Sequence, residues 1–425
     1  MLIKNIKALD VRNGKILEKV DIYIKDNLIE KIGQNLDIED EKIIDGSDKL
    51  AVPAFINSHT HLGMSLLRNY ADDYKLKEWL EDKIWPIEAK LTPDDIYIGT
   101  LLSMVEMIKS GTATFCDMYY EMDRVAEATE KSGLRGMLTR GLGDLMGPPS
   151  PEERFADMRN LYKNYDGKAN GRIKIFPGPH AIYTSTDKFL KDTISIVKEC
   201  GNRVHIHLSE TEGEVEDALR DRKMTPIEFC DSIGFLDQPT IAAHCTHITD
   251  KEIDLVKDKE FYPVYNPTSN LKLASGFTPV KKMLDKGIKV CLGTDGDSSN
   301  NNLNMVEEIH IASIVNKAVE KDATAVKAIE VLKMATINAA EAFGINSGEI
   351  KEGKLADITL FNLNSINFTP KNNLISALCY SASSEDVDTL IVDGKLLMEN
   401  RKLLTLDEKE IIKKAQEAMD SILQR

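Results

Sequence analysis

The chain has 425 residues, 42% of them hydrophobic and 29% charged, so it can bury a sizeable core and intrinsic disorder is excluded. A formal net charge of −15 excludes a sustained basic face for nucleic acid, because neutralising phosphates takes clustered cations. No uncharged run approaches the ~20 residues of a membrane helix, so a membrane partner is not expected.

In chain order, residues 1–51 read as short strands, LIKNIKALDV, KILEKVDIYIKD and LIEKIG, separated by Asn-Gly and Asp-Asn turns. This start lacks the apolar stretch of a signal peptide. The six cysteines (Cys116, Cys200, Cys230, Cys245, Cys291 and Cys379) form neither a CxxC pair nor a compact disulfide framework. A cytoplasmic protein in a reducing compartment is expected.

Eight apolar strand-like runs follow within 52–348: VPAFINSHTH (52–61), TATFCDMY (112–119), RGMLTRGL (135–142), RIKIFPGPH (172–180), RVHIHLSE (203–210), TIAAHCTH (240–247), FYPVYNP (261–267) and KVCLGTD (289–295). Helical stretches such as 93–109 and 187–199 lie between several of them. Eight β/α units predict an α/β fold, a closed (β/α)8 TIM-like barrel, with a doubly wound open sheet as the runner-up. Residues 349–425 return to strands in KLADITLFNL and TLIVDGKLLMEN. They end in a helix with Ile411, Ile412, Ala415, Met419, Ile422 and Leu423 on one period, and Thr405 and Glu408 at capping-box spacing. Neither terminal β patch buries much surface alone, so both chain ends are expected to build one small β-sandwich.

Polar residues gather at the ends of the barrel runs: His59 and His61, Arg140, His180, His207 and Glu210, His244, Asn266 and Asp295. A parallel barrel puts all strand C-termini on one face, where active sites are built. His59 and His61 are spaced i, i+2, so on a strand both imidazoles reach the same side. A lone HxH is weak evidence. His205-Ile206-His207 repeats it, and either pair alone would also read as two half-buried polar residues. With Asp295 as a hard oxygen ligand, His59, His61 and His207 suit one divalent ion, most often zinc, with a position left for water. Glu210 follows His207 by three residues and is close enough to handle the proton of that water, although a solvated acid at a helix start is the bland reading. His244 would stabilise developing oxygen charge, and His247 is expected to be structural. Lys174 sits too early in its run to bridge two ions, which favours a single metal.

PAFINSHTHLGMSLLR, HIHLSET, AAHCTH, YNPTSNLKLASG, CLGTDGDSSNNNLNM and GEIKEGKLADITLFN together resemble the amidohydrolase superfamily over nearly the whole chain. Within it they look like the branch of deaminases acting on 5′-methylthioadenosine and S-adenosylhomocysteine. The resemblance implies the same barrel with a β-sandwich, a metal on His59, His61, His207 and Asp295, a proton shuttle at Glu210 and a water-polarising His244. It also implies a substrate shell. Glu88 would accept hydrogen bonds from the ribose hydroxyls. Trp79 would pack near the ribose or thioether, or serve as a core aromatic. His180 would touch the purine. Arg140 or Arg154 would grip the homocysteine carboxylate, Arg140 because it ends a strand, whereas Arg154 in its helical stretch also reads as a solvated charge.

The implied reaction is hydrolytic deamination of the adenine 6-amine, with catalytic roles for Glu210, His244 and Asp295. A guanine deaminase or an aminotriazine chlorohydrolase is the nearest alternative, and a non-catalytic scaffold the remote one. Cys245 and Cys291 read as inert core residues. The expected partner is a small adenine nucleoside, and a homo-oligomer is the common arrangement for such a chain.

Overall fold

The structure, a computed structural model, describes residues 1–39, 42–74 and 78–425. All eight barrel runs contain strands: Phe55–Thr60, Thr112–Tyr119, Arg135–Leu142, Ile173–Pro179, Val204–Leu208, Thr240–His244, Phe261–Tyr265 and Cys291–Leu292. They pair in parallel and in sequence order, as two four-stranded sheets. The fourth strand lies against the fifth and the eighth against the first, which closes the cylinder. Main-chain hydrogen bonds seal both seams, from His207 N–H to His180 O (2.9 Å) and from Asp295 N–H to His59 O (3.0 Å). Nearly every residue on these strands is buried, as expected for a parallel sheet covered on both faces.

Several strands stop before their apolar runs do. Ser209, His244, Cys245 and Asp295 take left-handed φ values of 50°, 74°, 50° and 66°, which breaks the ladder and turns the chain over the barrel mouth. Glu210, His247 and Asp295 therefore sit past the strand ends, and Asn266 sits past its own because a short helix starts at Pro267. At the other end of the first run, Val52 and Pro53 belong to a separate strand, Lys49–Pro53. The helices Pro93–Lys109 and Asp187–Glu199 keep the bounds read from sequence. Thr92 and Asp95 form a reciprocal capping box on the first, with Pro93 opening it, and Thr186 caps the second.

Strands from both chain ends join one nine-stranded hydrogen-bonded sheet. Leu2–Asp10 pairs with Lys15–Lys25 on one side and Lys49–Pro53 on the other. Lys49–Pro53 then pairs antiparallel with Ile358–Asn362, which carries Val387–Val392 and Lys395–Glu399 beyond it. Asp393 and Gly394, both left-handed, make the tight turn between Val387–Val392 and Lys395–Glu399. Ile3, Ile22, Ile358 and Ile391 belong to an apolar cluster of this unit, separate from the barrel's. Buried Arg135 ties the two together, with Nη2 3.4 Å from Asp357 and 3.2 Å from Asp393.

The final helix, Glu408–Gln424, differs from its sequence reading at its start. Asp407 is the cap, accepting from Glu410 N–H (3.1 Å), whereas the Thr405 hydroxyl donates to Ser132 O (2.7 Å). The Thr405–Glu408 box does not form because Thr405 is drawn to the barrel. The buried stripe is also narrower: Ile411, Ala415 and Ile422 are covered, while Ile412 and Leu423 are exposed. No helix among the described residues is long and apolar enough to cross a membrane.

Gly293 lets the eighth strand approach the first. A Cβ there would lie 2.6 Å from Asn266 Oδ1 and 2.9 Å from the His59 nitrogen. Gly293→Ala is therefore expected to destabilise the fold by about 1–3 kcal/mol, the usual penalty of overpacking, measured by denaturant unfolding. An unchanged midpoint would show that the seam has slack.

Candidate active site

Strand alternation places the donor atoms. His59 and His61 lie on and just past the first strand, His207 on the fifth and Asp295 after the eighth. Asp295 Oδ1 is 3.3 Å from His59 Nε2 and 3.2 Å from His61 Nε2, and His61 Nε2 is 3.3 Å from His207 Nε2. His244 also has a ring nitrogen within 4.8 Å of the His59 and Asp295 donors. Each of three rings is anchored through Nδ1: His61 on Met118 O (2.6 Å), His207 on His180 O (2.8 Å) and His59 on His205 Nε2 (3.0 Å). Such outer contacts orient a metal-ligating imidazole. Ser269 and Ser299 donate to Asp295 Oδ2 (2.7 and 2.9 Å), which leaves Oδ1 facing the histidines.

This cluster fits a divalent ion. Three imidazole nitrogens and a carboxylate oxygen converge, and buried His59 Nε2 makes no hydrogen bond. Burial holds His59 down to about 3, whereas Asp295 overcomes the same burial at His61 and raises it to about 9. Against the burial penalty, His59 and His61 hold the Asp295 carboxyl well below the usual carboxylate range. Lys174 is absent from the cluster and lies 3.8 Å from Asp166, in keeping with a single-ion site.

Glu210 is held by its backbone. Glu214 accepts from the N–H groups of Ser209 (3.1 Å) and Glu210 (2.7 Å), and the Thr246 hydroxyl donates to the carbonyls of the same two residues. Four bonds thus fix the left-handed turn and aim the Glu210 side chain across the mouth. Its Oε1 accepts from Ser275 Oγ (3.2 Å), and its Oε2 is 3.9 Å from His244 Nε2. Glu214 is buried, and burial raises its carboxyl to about 7. His244 Nδ1–H donates to Asn270 Oδ1 (2.8 Å), which directs Nε2 toward the cluster. His247 Nε2–H donates to Ser275 O (2.7 Å), a structural tie that braces the Ser275 loop. Cys245 and Cys291 are fully buried, and burial pushes both thiols up.

The cluster opens into a cavity of about 730 Å³ whose lining includes His61, Glu210, Asp295, Trp79, Glu88 and His180. Glu88 accepts from Tyr119 OH (2.5 Å), and burial raises its carboxyl to about 7 against the opposing pull of that bond. Trp79 is buried, donates to Ala71 O (2.9 Å) and also lines the cavity. Burial lowers His180 to about 4, so it is a neutral ring beside His207. Arg140 itself does not line the cavity, although its neighbour Gly141 does, and its side chain pairs with the half-exposed Asp157 (3.0 Å). Arg154 is not a solvated charge. It folds back from the first turn of its helix and donates to the carbonyls of Gly147, Pro148 and Pro149 (2.8, 3.0 and 3.1 Å).

Sequence reasoning assigned no role to Tyr119, Ser269, Asn270, Ser299 or Glu214. For Ser269, Asn270 and Ser299 the signal was their place in polar runs just past strand ends, YNPTSN and GTDGDSS; Tyr119, at the end of a strand, and Glu214, in the first turn of a helix, carried none.

The chain belongs to the amidohydrolase family, whose model matches residues 50–397. It is 51% identical over 414 residues to the 5-methylthioadenosine/S-adenosylhomocysteine deaminase of Caldanaerobacter subterraneus subsp. tengcongensis, covering 97% of this chain and 96% of that one. It is 45% identical over 408 residues to the 5′-deoxyadenosine deaminase of Methanosphaera stadtmanae, covering 96% of each. The crystal structure of an adenosine deaminase from Xanthomonas campestris with bound zinc superposes with a TM-score of 0.96 at 30% identity, over 100% of this chain and 98% of that one. An atrazine chlorohydrolase from Arthrobacter aurescens, 23% identical with a TM-score of 0.92 over 98% and 99% of the two chains, shares the fold. The protein is a metal-dependent hydrolase acting on C–N bonds of cyclic amidines, and its divalent site suits zinc.

Stripping the metal with a chelator is expected to lower the melting temperature. Zinc at ~100 times its dissociation constant should restore about 2.7 kcal/mol. Identical calorimetric melting with and without zinc would count against the site.

Proposed function

We propose that the protein deaminates adenine nucleosides, 5′-methylthioadenosine and S-adenosylhomocysteine first among them, releasing ammonia and the inosyl product. The observation that carries this reading is one cavity shared by the His/Asp cluster, Glu210 and Glu88, in a chain whose relatives at 51% and 45% identity are adenine-nucleoside deaminases.

His59, His61, His207 and Asp295 would hold the ion, which would supply the acidification of water toward neutrality. Glu210 takes a proton from the water and delivers it to purine N1. The hydroxide oxygen adds to C6, which becomes tetrahedral. His244 Nε2 holds that oxygen while Asn270 fixes the ring from behind. Asp295 accepts the remaining hydroxyl proton and passes it to the amine. The C6–N bond breaks, ammonia leaves and the C6 carbonyl forms.

Glu88 receives the ribose hydroxyls, Trp79 flanks the sugar and His180 meets the purine. Arg140 is the better carboxylate partner of the two arginines, because its exposed Asp157 pair can exchange, whereas three backbone carbonyls occupy Arg154. The chemistry belongs to residues 52–348, with 1–51 and 349–425 as the supporting β unit. Six free, buried cysteines support a reducing, cytoplasmic setting.

A steady-state comparison of 5′-methylthioadenosine, S-adenosylhomocysteine and adenosine, followed by ultraviolet absorbance, tests the reading. Turnover of guanine or a chlorotriazine with none of the three would overturn it. Glu210→Gln should retain zinc yet lose roughly 100- to 10,000-fold in kcat; near-normal turnover removes Glu210 from its role. Arg140→Met should raise KM for S-adenosylhomocysteine and leave 5′-methylthioadenosine, which lacks the carboxylate, nearly unaffected. Equal losses on both substrates reject carboxylate recognition.

A further inference from the structure

We propose that His205 is a positioning residue for the metal site: from one layer below, it sets the tautomer and orientation of the His59 ring. The inference rests on the reading of His59 as a ligand.

His205 precedes His207 by two residues on the fifth strand, so both side chains point to the barrel interior. It is fully buried, as are His59 and Cys116. Its Nε2 is 3.0 Å from His59 Nδ1, and the two rings are nearly perpendicular, at 88°. Its Nδ1 is 3.4 Å from Cys116 Sγ on the second strand.

Proton placement follows from the ligand role. His59 Nε2, which makes no hydrogen bond and lies 3.3 Å from Asp295 Oδ1, must present a lone pair to a cation. The ring proton then sits on Nδ1 and donates to His205 Nε2. His205 must carry its own proton on Nδ1, where the Cys116 sulfur is a weak acceptor. The polarity of the row Cys116, His205, His59 is thus fixed from end to end. His61 and His207 differ, because their Nδ1 atoms face backbone carbonyls, which can only accept. His59 alone among the three leans on a group that could also donate.

The test compares zinc affinity, by competition with a chelating dye, in His205→Leu and His205→Gln. Leu removes the acceptor and should weaken zinc by about 10- to 100-fold, the usual cost of losing an outer-shell partner. Gln offers a carbonyl oxygen near the Nε2 position and should recover most of that loss, which a merely space-filling role would not. In zinc-loaded wild type, nitrogen NMR of labelled histidine should find the His59 proton on Nδ1. Wild-type affinity in the Leu variant, a Gln variant as weak as Leu, or a His59 proton on Nε2 would each overturn the proposal. The NMR arm needs no variant to fold. His59→Ala is the control. If zinc binding survives it, the ligand reading itself fails; if His59→Ala loses zinc while His205→Leu does not, only this inference fails.

Discussion

Two main-chain hydrogen bonds, from Asp295 to His59 and from His207 to His180, lie where the two half-barrels meet. Each ties a donor residue to the strand across its seam, so the bonds that shut the cylinder also assemble the metal cluster. Gly293 makes one approach possible, since any side chain there would strike the His59 backbone. The site and the closure are therefore one constraint. The His207 ring repeats the link through its Nδ1, on the same His180 carbonyl that its backbone uses.

Around this closure the chain adopts backbone geometry that non-glycine residues usually avoid. Ser209, His244, Cys245 and Asp295 are all left-handed, at roughly 1–3 kcal/mol each by the usual cost of such conformations. Hydrogen bonds hold them there: Glu214 and Thr246 on the Ser209–Glu210 turn, Asn270 on His244, Ser269 and Ser299 on Asp295. This outer layer of polar groups lets the inner residues face the cavity without competing local partners.

Much of this was legible in the sequence because two simple periodicities carry it. Eight apolar runs ending in polar residues gave the barrel and its functional face, and i, i+2 spacing gave the histidine pair at the first strand. The same spacing could not separate His205 from His207, because both face inward and only depth in the barrel tells ligand from support. Strand ends were read too long, since left-handed turns at His244 and Asp295 leave no mark in an apolar pattern. Glu214 drew no notice, because an acid in the first turn of a helix is ordinary in sequence; only the fold reveals that it accepts from two backbone N–H groups. Thr405 showed the limit of capping rules: its hydroxyl was taken by Ser132, a residue distant in sequence.

The pairing of Lys49–Pro53 with Ile358–Asn362 unites segments made long before and long after one another, with the whole barrel between them. The nascent barrel must therefore emerge while that edge of its β support lacks a neighbour, a state prone to sticking to other chains. Arg135 shares the predicament, for both carboxylates that neutralise it, Asp357 and Asp393, arrive only after the last barrel strand has been synthesised. The late strands thus act as a latch: the guanidinium becomes paired, and the edge covered, only once these segments have been made.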